Sequence, residues 1–285
     1  MAYNTGSAPT QAQLITAKFI PEMFSAEALM HTMSRLVCVN CFNTSYRNEL
    51  KKGYKVSIPV FSEGTAADVT PGTEPTAQDL KGTAASITID NWKEASAELS
   101  DMIEVQQHAD YLDGAAKSNG YTIQKSVDTS VGVLFSTLNA SSVYGADGQT
   151  FTDDIFKSLV ETLDEGDVPD DDRCLIGDPS MKRDLLSIDK FMRVDYVREP
   201  VVPAGKFGQL YGAQVFITNN LTDAGTGNYG TYAHRDAIGI VMQKDLRSRI
   251  WDMGYKFITK VITDAFWGAD VIRTGFGISF YTRSD

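Results

Sequence analysis

The stretch from residue 54 to about residue 138 constrains the fold most, because it places a long hairpin before a long helix. Apolar residues alternate with other residues in two segments, 54–60 and 84–92, which is typical of half-buried strands. These alternating residues are Val56, Ile58 and Val60 in the first segment and Ile87 and Ile89 in the second. Between the segments, 61–82 is rich in Gly, Thr, Pro, Ala and acidic residues. The pattern predicts two strands joined by a long polar loop.

A long helix is predicted after the second strand. Asp101 and Glu104 have the spacing of a capping box, in which the aspartate accepts from a first-turn N–H and the glutamate reaches back to the cap. Apolar residues then recur at helical spacing. They are Ile123, Val127, Val131, Leu134 and Leu138. A helix over 101–138 would be about 55 Å long at ~1.5 Å per residue.

The predicted hairpin is too long to pack entirely on its own domain. Its arms would project roughly 40–60 Å at ~3.3 Å per residue. Loops beyond ~12–15 residues without structure of their own are usually functional or disordered. Since two alternating arms cannot both bury a face on their own domain, we expect the hairpin to lie on a neighbouring subunit. The alternative is an unstructured surface insertion.

Length and composition indicate an ordinary globular chain with one or two cores. The chain has 285 residues, of which 42% are hydrophobic and 22% charged. Its formal net charge of −11 and the lack of a Lys/Arg cluster argue against a tight nucleic-acid binder. An acidic chain can still surround DNA, provided that its surface repels the DNA rather than gripping it.

The cysteines predict neither a disulfide framework nor a metal centre. There are three of them, and a small odd number indicates synthesis in a reducing compartment. Cys38 and Cys41 have the spacing of half a zinc knuckle, but zinc takes four ligands and the sequence offers no second pair at suitable spacing. We expect both to be small buried side chains. The polar N-terminus lacks the apolar core of a signal peptide, and no apolar run reaches ~18 residues, so we expect a soluble cytoplasmic product without a membrane partner.

The rest of the chain predicts an α+β fold, because helices and strands do not alternate as βαβ units. Residues 1–13 read as an extended arm, 14–35 as short helices and 36–47 as strand and loop. A turn cluster at 145–149 marks a boundary between subdomains. Further helices are expected at 153–164 and 178–189, and further strands at 173–176, 213–218, 237–242, 248–252, 257–262 and 271–281.

Three motifs have the composition of functional sites, but none has the pattern or context that such a site requires. The segment 225–230 spells G-x-G-x-x-G, but a strand rather than a helix is expected after it, which argues against dinucleotide binding. The acidic run 164–172 lacks the calcium-loop pattern, which favours a solvated loop over a metal site. The adjacent residues of 234–236 (His-Arg-Asp) do not suit a catalytic constellation. We therefore expect no enzyme and no cofactor.

The order of segments is itself distinctive. An N-terminal arm precedes the projecting loop 54–92. The short segment Leu99-Ser100-Asp101-Met102 then begins the long helix. Inside this helix lie Ala115, Ala116 and Asp128. Later phrases stand at 189–191, 210–216, 218–221, 233–239 and 266–273. In this order the chain resembles the major capsid proteins of tailed bacteriophages, which have the Hong Kong 97-type fold.

The resemblance implies a domain plan and a set of partners. Residues 1–35 would form the N-terminal arm and short helices, 36–145 a peripheral domain with the extended loop and the spine helix, 146–264 an axial domain, and 265–285 a return to the peripheral domain. Copies of the chain would assemble into pentamers and hexamers of an icosahedral virion capsid, made in the bacterial cytoplasm, which encloses double-stranded DNA without specific binding. A scaffolding protein, a portal and a decoration protein are the other partners that it implies.

The expected sites are subunit contacts rather than chemistry. They are Tyr54, Val56, Ile58, Phe61, Lys81, Ile87, Ile89, Trp92, Phe207, Tyr211 and Tyr229. Within the same fold, the alternative is an encapsulin-like shell of a cellular compartment. From other classes, a soluble enzyme with a lidded site and a decoration or tail-tube protein remain as alternatives.

Overall fold

The structure, a computed structural model, consists of a helix–sheet unit, a five-stranded unit and a two-stranded hairpin. It describes residues 37–48, 53–60, 64–66, 68–69, 71–72, 74, 82–102, 111–139, 143–188 and 208–283. The predicted arm and helices within 1–35 lie outside these residues. Secondary-structure elements are numbered below in chain order.

The first described segment, 37–48, is helical rather than the expected strand and loop. It forms the short helix α1 (Cys38–Cys41) and a 3-10 turn (Ser45–Asn48). Cys38, Cys41 and Phe42 are buried against the centre of the molecule. The apolar residues of this segment are buried on one side of a single helical turn, and they do not alternate as those of a strand would. The prediction of a strand here was therefore wrong.

The hairpin consists of β1 (Lys55–Val60) and β2 (Thr83–Thr88). The two strands are antiparallel, with Lys55 opposite Thr88 and Val60 opposite Thr83. Within the described residues they pair only with each other. The expected two-armed hairpin is therefore present, although its second arm ends at Thr88 rather than at Trp92.

The helix–sheet unit contains three strands in the order β3-β9-β8, all antiparallel. They are β3 (Asn91–Ser100), β8 (Ile238–Met253) and β9 (Ile258–Val271). The sequence predicted short separate strands at 237–242, 248–252 and 257–262 and gave no strand for β3. Charged residues and two register shifts between Met242 and Arg247 interrupt the alternation of β8, so one long strand looked like two short ones.

The spine helix, α2 (Tyr111–Val133), lies across this sheet and continues as a 3-10 turn (Leu134–Thr137). Ile123 and Val127 pack on Ala265 and Trp267 of β9. The helix was expected over 101–138. Asp101 and Met102 are helical, but 103–110, with the capping glutamate, lies outside the described residues. Of the helices that the structure describes, none combines the length and the hydropathy needed to cross a bilayer.

The five-stranded unit has the strand order β10-β7-β4-β6-β5, in which only the β4–β6 pair is parallel. Its strands are β4 (Arg173–Gly177), β5 (Gln209–Leu210), β6 (Ala213–Ile217), β7 (Tyr229–His234) and β10 (Gly277–Tyr281). Two helices complete it, α3 (Asp153–Glu165) and α4 (Pro179–Ser187). A core of aromatic and aliphatic side chains, including Phe151, Phe156, Tyr232 and Phe280, fills the unit.

Both helices of this unit begin where the sequence predicts. The Thr152 side chain accepts a hydrogen bond from the Ile155 amide at the start of α3. Asp178 accepts from the Met181 amide at the start of α4, and Pro179 occupies the first turn. Such caps satisfy N–H groups that have no partner within the helix. The predicted helices at these two positions are confirmed.

The sheets divide the chain differently from the expected domain bounds. The bound at 264/265 falls inside β9, and β8 and β9 pair in the helix–sheet unit, not in the five-stranded unit. The tail was expected to return to the peripheral domain as one strand over 271–281. Instead β10 pairs with β7 of the five-stranded unit, after a 3-10 turn at Thr274–Phe276. Strand pairing thus places 238–271 in one unit and 277–281 in the other.

Candidate subunit interface

The hairpin presents an apolar side that its own unit covers only in part. Val56, Ile58 and Val60 are half-buried, whereas the residues between them are exposed. Tyr54 at the base is 72% exposed, and its carbonyl accepts from the amide of the half-buried Ile89. The alternation expected for β1 is therefore present. A surface of this kind has apolar area that a neighbouring chain can cover.

Ile87 requires a correction. It was expected at a subunit contact, but its side chain is fully buried within the subunit. It lies where β2 meets β8, so close to Gly239 that a Cβ added there would lie 2.7 Å from Ile87 Cδ1. The alternation of Ile87 with its neighbours correctly indicated that one face of the strand is buried. It did not distinguish a face buried inside the subunit from one buried between subunits.

Trp92 forms a fixed aromatic platform on the side of the three-stranded sheet opposite α2, which we call the open face. Its indole stacks on the Phe266 ring with 4.8 Å between ring centroids. Its Nε1 donates to an Asp264 carboxylate oxygen at 3.3 Å. The ring remains 67% exposed. A large side chain that is already ordered loses little conformational entropy when a partner covers it.

The charges around the platform are arranged to hold Asp264. Arg247 donates from Nε and Nη2 to the two Asp264 oxygens, each at 2.6 Å. The Lys244 ammonium lies 5.4 Å from the centroid of the Phe266 ring. The Arg247 guanidinium, helped by the Trp92 indole, holds the pKa of Asp264 below its usual range. The bidentate pair fixes both strands under the Trp92 ring.

Replacing Asp264 with Asn should weaken folding at neutral pH and remove part of its acid dependence. We expect a loss of about 1–2 kcal/mol at pH 7, because a hydrogen bond to a charged group contributes ~1.5–3 kcal/mol and Arg247 is partly exposed. A folded-state pKa below the unfolded value of about 3.9 means that the carboxylate stabilises the fold above that pH and stops doing so as pH falls through the folded pKa. Urea unfolding of both proteins at pH 7, 5 and 3 measures this. The difference between them should shrink at pH 3, and a constant difference would contradict the assignment.

A second exposed apolar group stands at the far end of the same sheet, and the sequence analysis missed it. Tyr255 and Phe257 in the β8–β9 turn are 78% and 72% exposed. Met102, Ile250 and Trp251 nearby are also exposed, and the Asp101 amide donates to the Phe257 carbonyl. We call these five residues the sheet tip. These residues come together because β8 and β9 pair along 238–271. The sequence predicted separate short strands there, so it did not predict this exposed group.

The two expected contacts in the five-stranded unit differ in exposure. Tyr211 is exposed and stands in the turn between β5 and β6, where its hydroxyl donates to Asp153 at 2.8 Å and its ring meets the edge of Phe156. Burial and the Asp153 carboxylate raise the pKa of Tyr211. Tyr229 is half-buried, with its ring 5.3 Å from that of Tyr281. The other expected contacts, Phe61, Lys81 and Phe207, lie outside the described residues.

The glycine-rich segment 225–230 consists of a loop at 225–228, which Asp147 closes, and the first two residues of β7. Asp147 accepts from the amides of Thr226 and Gly227 at 2.8 and 2.7 Å. These are N–H groups of the type that would hold a phosphate in a nucleotide site. Strand β7, not a helix, follows the loop. The prediction of a loop is thus confirmed, and a carboxylate takes the place that an anion would need.

The remaining candidates for chemistry serve the structure. His234 Nδ1 accepts from the Asp236 amide, so this ring caps a turn. Arg173 binds Asp164 and Asp170 of the acidic run, which anchors that loop. In the described part of the chain, no three His, Cys, Asp or Glu side chains are grouped as metal ligands would be. All three cysteines are buried thiols.

Comparisons with known proteins identify the fold. No protein-family model and no curated protein sequence matches the chain. Solved structures do. A structure from Mycobacterium phage Che8 matches with a TM-score of 0.80 and 21% identity, over 94% of this chain and 98% of that one. The capsid structure of cyanophage P-SCSP1u matches with a TM-score of 0.79 and 17% identity, over 100% and 97%. The capsid of a native GTA particle matches with a TM-score of 0.69 and 14% identity, over 96% and 100%.

These matches cover nearly the whole chain on both sides. The expected Hong Kong 97-type fold is therefore confirmed as the overall fold. At identities of 21% and below, the likeness concerns the fold and leaves the individual contact residues to be argued from this structure.

Proposed function

We propose that this chain is the major capsid subunit of a tailed bacteriophage, and that it assembles with copies of itself into the icosahedral shell. One observation carries the proposal: a full-length match to the fold of phage capsid structures, with 100% of the chain covered in one case. The exposed hairpin adds independent support, because a projecting apolar arm needs a partner outside its own unit.

The mechanism is assembly rather than catalysis. The hairpin of one subunit lies on its neighbour, and the half-buried side of β1 becomes covered there. The Trp92 platform and the sheet tip supply aromatic side chains, which carry a large share of the energy in protein interfaces. Each contact is weak, but closing a shell engages many at once, so the assembled state is much more stable than any one contact.

The two units take different places in this proposal. The five-stranded unit, with exposed Tyr211, surrounds the centres of pentamers and hexamers. The helix–sheet unit lies at their periphery, where the hairpin and the sheet tip reach adjoining subunits. The net charge of −11 suits a wall that encloses double-stranded DNA without specific binding. Scaffolding, portal and decoration proteins are proposed partners, and the virion capsid is the proposed location.

Expression of the chain alone and with its neighbouring genes tests the proposal. Velocity sedimentation followed by electron microscopy should reveal megadalton shells, tubes or capsomers. A homogeneous species of one or two subunits under both conditions would overturn it. That result, together with thermal stabilisation by a small ligand, would favour the lidded enzyme. Genes for terminase and portal beside this one distinguish a phage head from an encapsulin-like compartment.

Replacing Trp92 with Ala should impair assembly while leaving the subunit folded. Because the indole is 67% exposed, its removal costs the isolated subunit little burial. We expect at least ~10-fold fewer particles in sedimentation, since each contact worth 1.4 kcal/mol changes an equilibrium tenfold. Trp92→Phe is the matched control, because it keeps the stacking on Phe266 and should retain most particles. Normal particle yield from Trp92→Ala would remove the platform from the interface.

A further inference from the structure

Asp128 is a carboxylate buried in the middle of the spine helix. Its exposed fraction is 0%. One oxygen accepts from the Val39 amide at 3.2 Å, and the other from the Asn220 side-chain amide at 3.1 Å. The Cys38 thiol is a third hydrogen-bonding neighbour. Each of these donors comes from outside the helix that carries the carboxylate.

The chemistry of this site is unusual for an interior. A buried carboxylate is costly unless a cation or several hydrogen bonds compensate it. Within the part of the chain that the structure describes, the ion pairs found do not include Asp128. Neutral donors hold it instead. An apolar residue would fill the same space at less cost, so the carboxylate has its use in what it joins.

The donors belong to two separate parts of the subunit. Cys38 and Val39 lie in α1, at the start of the described chain, directly after residues 1–36. Asn220 lies in the loop that follows β6 of the five-stranded unit. One side chain on α2 therefore binds the segment that leads from the N-terminus and a loop of the other unit at the same time.

Gly132, one turn further along α2, supports this reading independently. A Cβ at this position would lie 3.0 Å from the Asn220 carbonyl oxygen. The helix thus approaches the loop as closely as a glycine allows, on the face that also carries Asp128. We call the hydrogen bonds of Asp128 to Val39 and Asn220 the tie. The tie and the close backbone approach at Gly132 together define one orientation of the loop on the helix.

We propose that Asp128 is a positioning residue, which fixes α1 and the loop after β6 of the five-stranded unit at one orientation on the spine helix. Because shell closure depends on subunit shape, this orientation sets the curvature of the assembled product. This last consequence rests on the proposed capsid function, whereas the tie itself does not.

A swap of the two side chains tests the tie. In Asp128→Asn, an amide NH₂ replaces one acceptor oxygen and meets the NH₂ of Asn220. In Asn220→Asp alone, two carboxylates face each other. The double variant, Asp128→Asn with Asn220→Asp, restores a donor opposite an acceptor and leaves an oxygen for the Val39 amide. Asp113→Asn on the exposed part of the same helix is the matched control.

Hydrogen exchange on the unassembled subunit is the first readout. Each single variant should speed amide exchange at Val39 and in the 219–222 loop by at least ~10-fold, as expected for local opening. Strands β9 and β10 should be unchanged, and the double variant should recover at least half of the protection. If Asp128→Asn does not fold, Asn220→Ala provides the same readout with the carboxylate in place. Equal protection in wild type and Asn220→Ala, or no recovery in the double variant, would overturn the tie.

Particle shape is the second readout. Asp128→Asn should give particles of altered diameter or open sheets, and the double variant should return toward wild type. Normal shells from a single variant that has lost protection would overturn the link to curvature. If wild type itself never assembles, the capsid proposal fails, while the exchange experiment still decides the tie.

Discussion

A subunit in which an Asn-Gly turn replaces residues 61–82 should fold normally and fail to assemble. Val60 and Thr83 are already paired, and a two-residue turn of this composition suits the twist of such a hairpin. The change removes no residue from the described cores. We expect the free energy of unfolding to stay the same or to rise by up to about 2 kcal/mol, because the shorter loop loses less conformational entropy when its ends are brought together, at ~0.6 kcal/mol per halving of length.

Assembly should be much more sensitive than folding. If the loop contributes contacts at every subunit, each loss of ~1.4 kcal/mol costs a factor of ten and these factors multiply over the shell. Sedimentation should therefore show almost no particles. The control is a Gly/Ser loop of the original length. It keeps the length of the loop but not its side chains, so it distinguishes an effect of length from an effect of sequence. Loss of cooperative melting in the shortened subunit would instead assign the loop to its own core, and full particle yield would remove it from the interface.

Gly268→Ala should destabilise the subunit strongly, through the root of the hairpin. Gly268 lies in β9, where the backbone of β2 crosses it. An added Cβ would clash with the Thr88 carbonyl oxygen, lie 2.8 Å from its carbon and 3.0 Å from Ile89 Cα. Since backbone rather than a flexible side chain is in the way, the hairpin must shift. Overpacking of this kind costs about 1–3 kcal/mol and sometimes more.

The measurement is thermal melting, with Gly254→Ala as the control. Gly254 lies in the turn of the same sheet, has open space around it and a backbone that alanine can adopt. We expect a fall of several degrees for Gly268→Ala at ~2 °C or more per kcal/mol, and almost none for the control. Equal melting of the two variants would contradict the crossing of β2 over β9.

The sequence predicted elements well where one face of an element is buried. The helices at 153–164 and 178–189 were found because caps mark their starts and buried residues recur along them. The hairpin was found because Val56, Ile58 and Val60 alternate. Segment order then supplied the architecture, since no single motif in the chain specifies it.

What the sequence did not reveal depends on pairing over long distances. Strand β3 was missed although its burial alternates from Ala95 to Leu99, because the inward residues there are mostly small, as Ala95 is, and the large Trp92 is exposed on the open face. The grouping of β10 with β7 is set by contacts between residues nearly 50 positions apart. The roles of Trp92 and Asp264 needed the register between strands that are 172 residues apart. Local periodicity carries no information of that kind.

Because β2 crosses β9, the hairpin is held at its root, like a cantilever. Its root is clamped by the buried Ile87 and by the Gly268 contact, and the four residue pairs beyond Ile87 extend about 13 Å at ~3.3 Å per residue. Tilting the root by roughly 10° therefore moves the end of the strands by about 2.3 Å, roughly two-thirds of the spacing of one residue along a strand. A shift of one residue exchanges the two faces of a strand. In the proposed shell, subunits seated at different local curvatures would then have to absorb the difference beyond Val60 and Thr83 if the same face of β1 is to meet every neighbour.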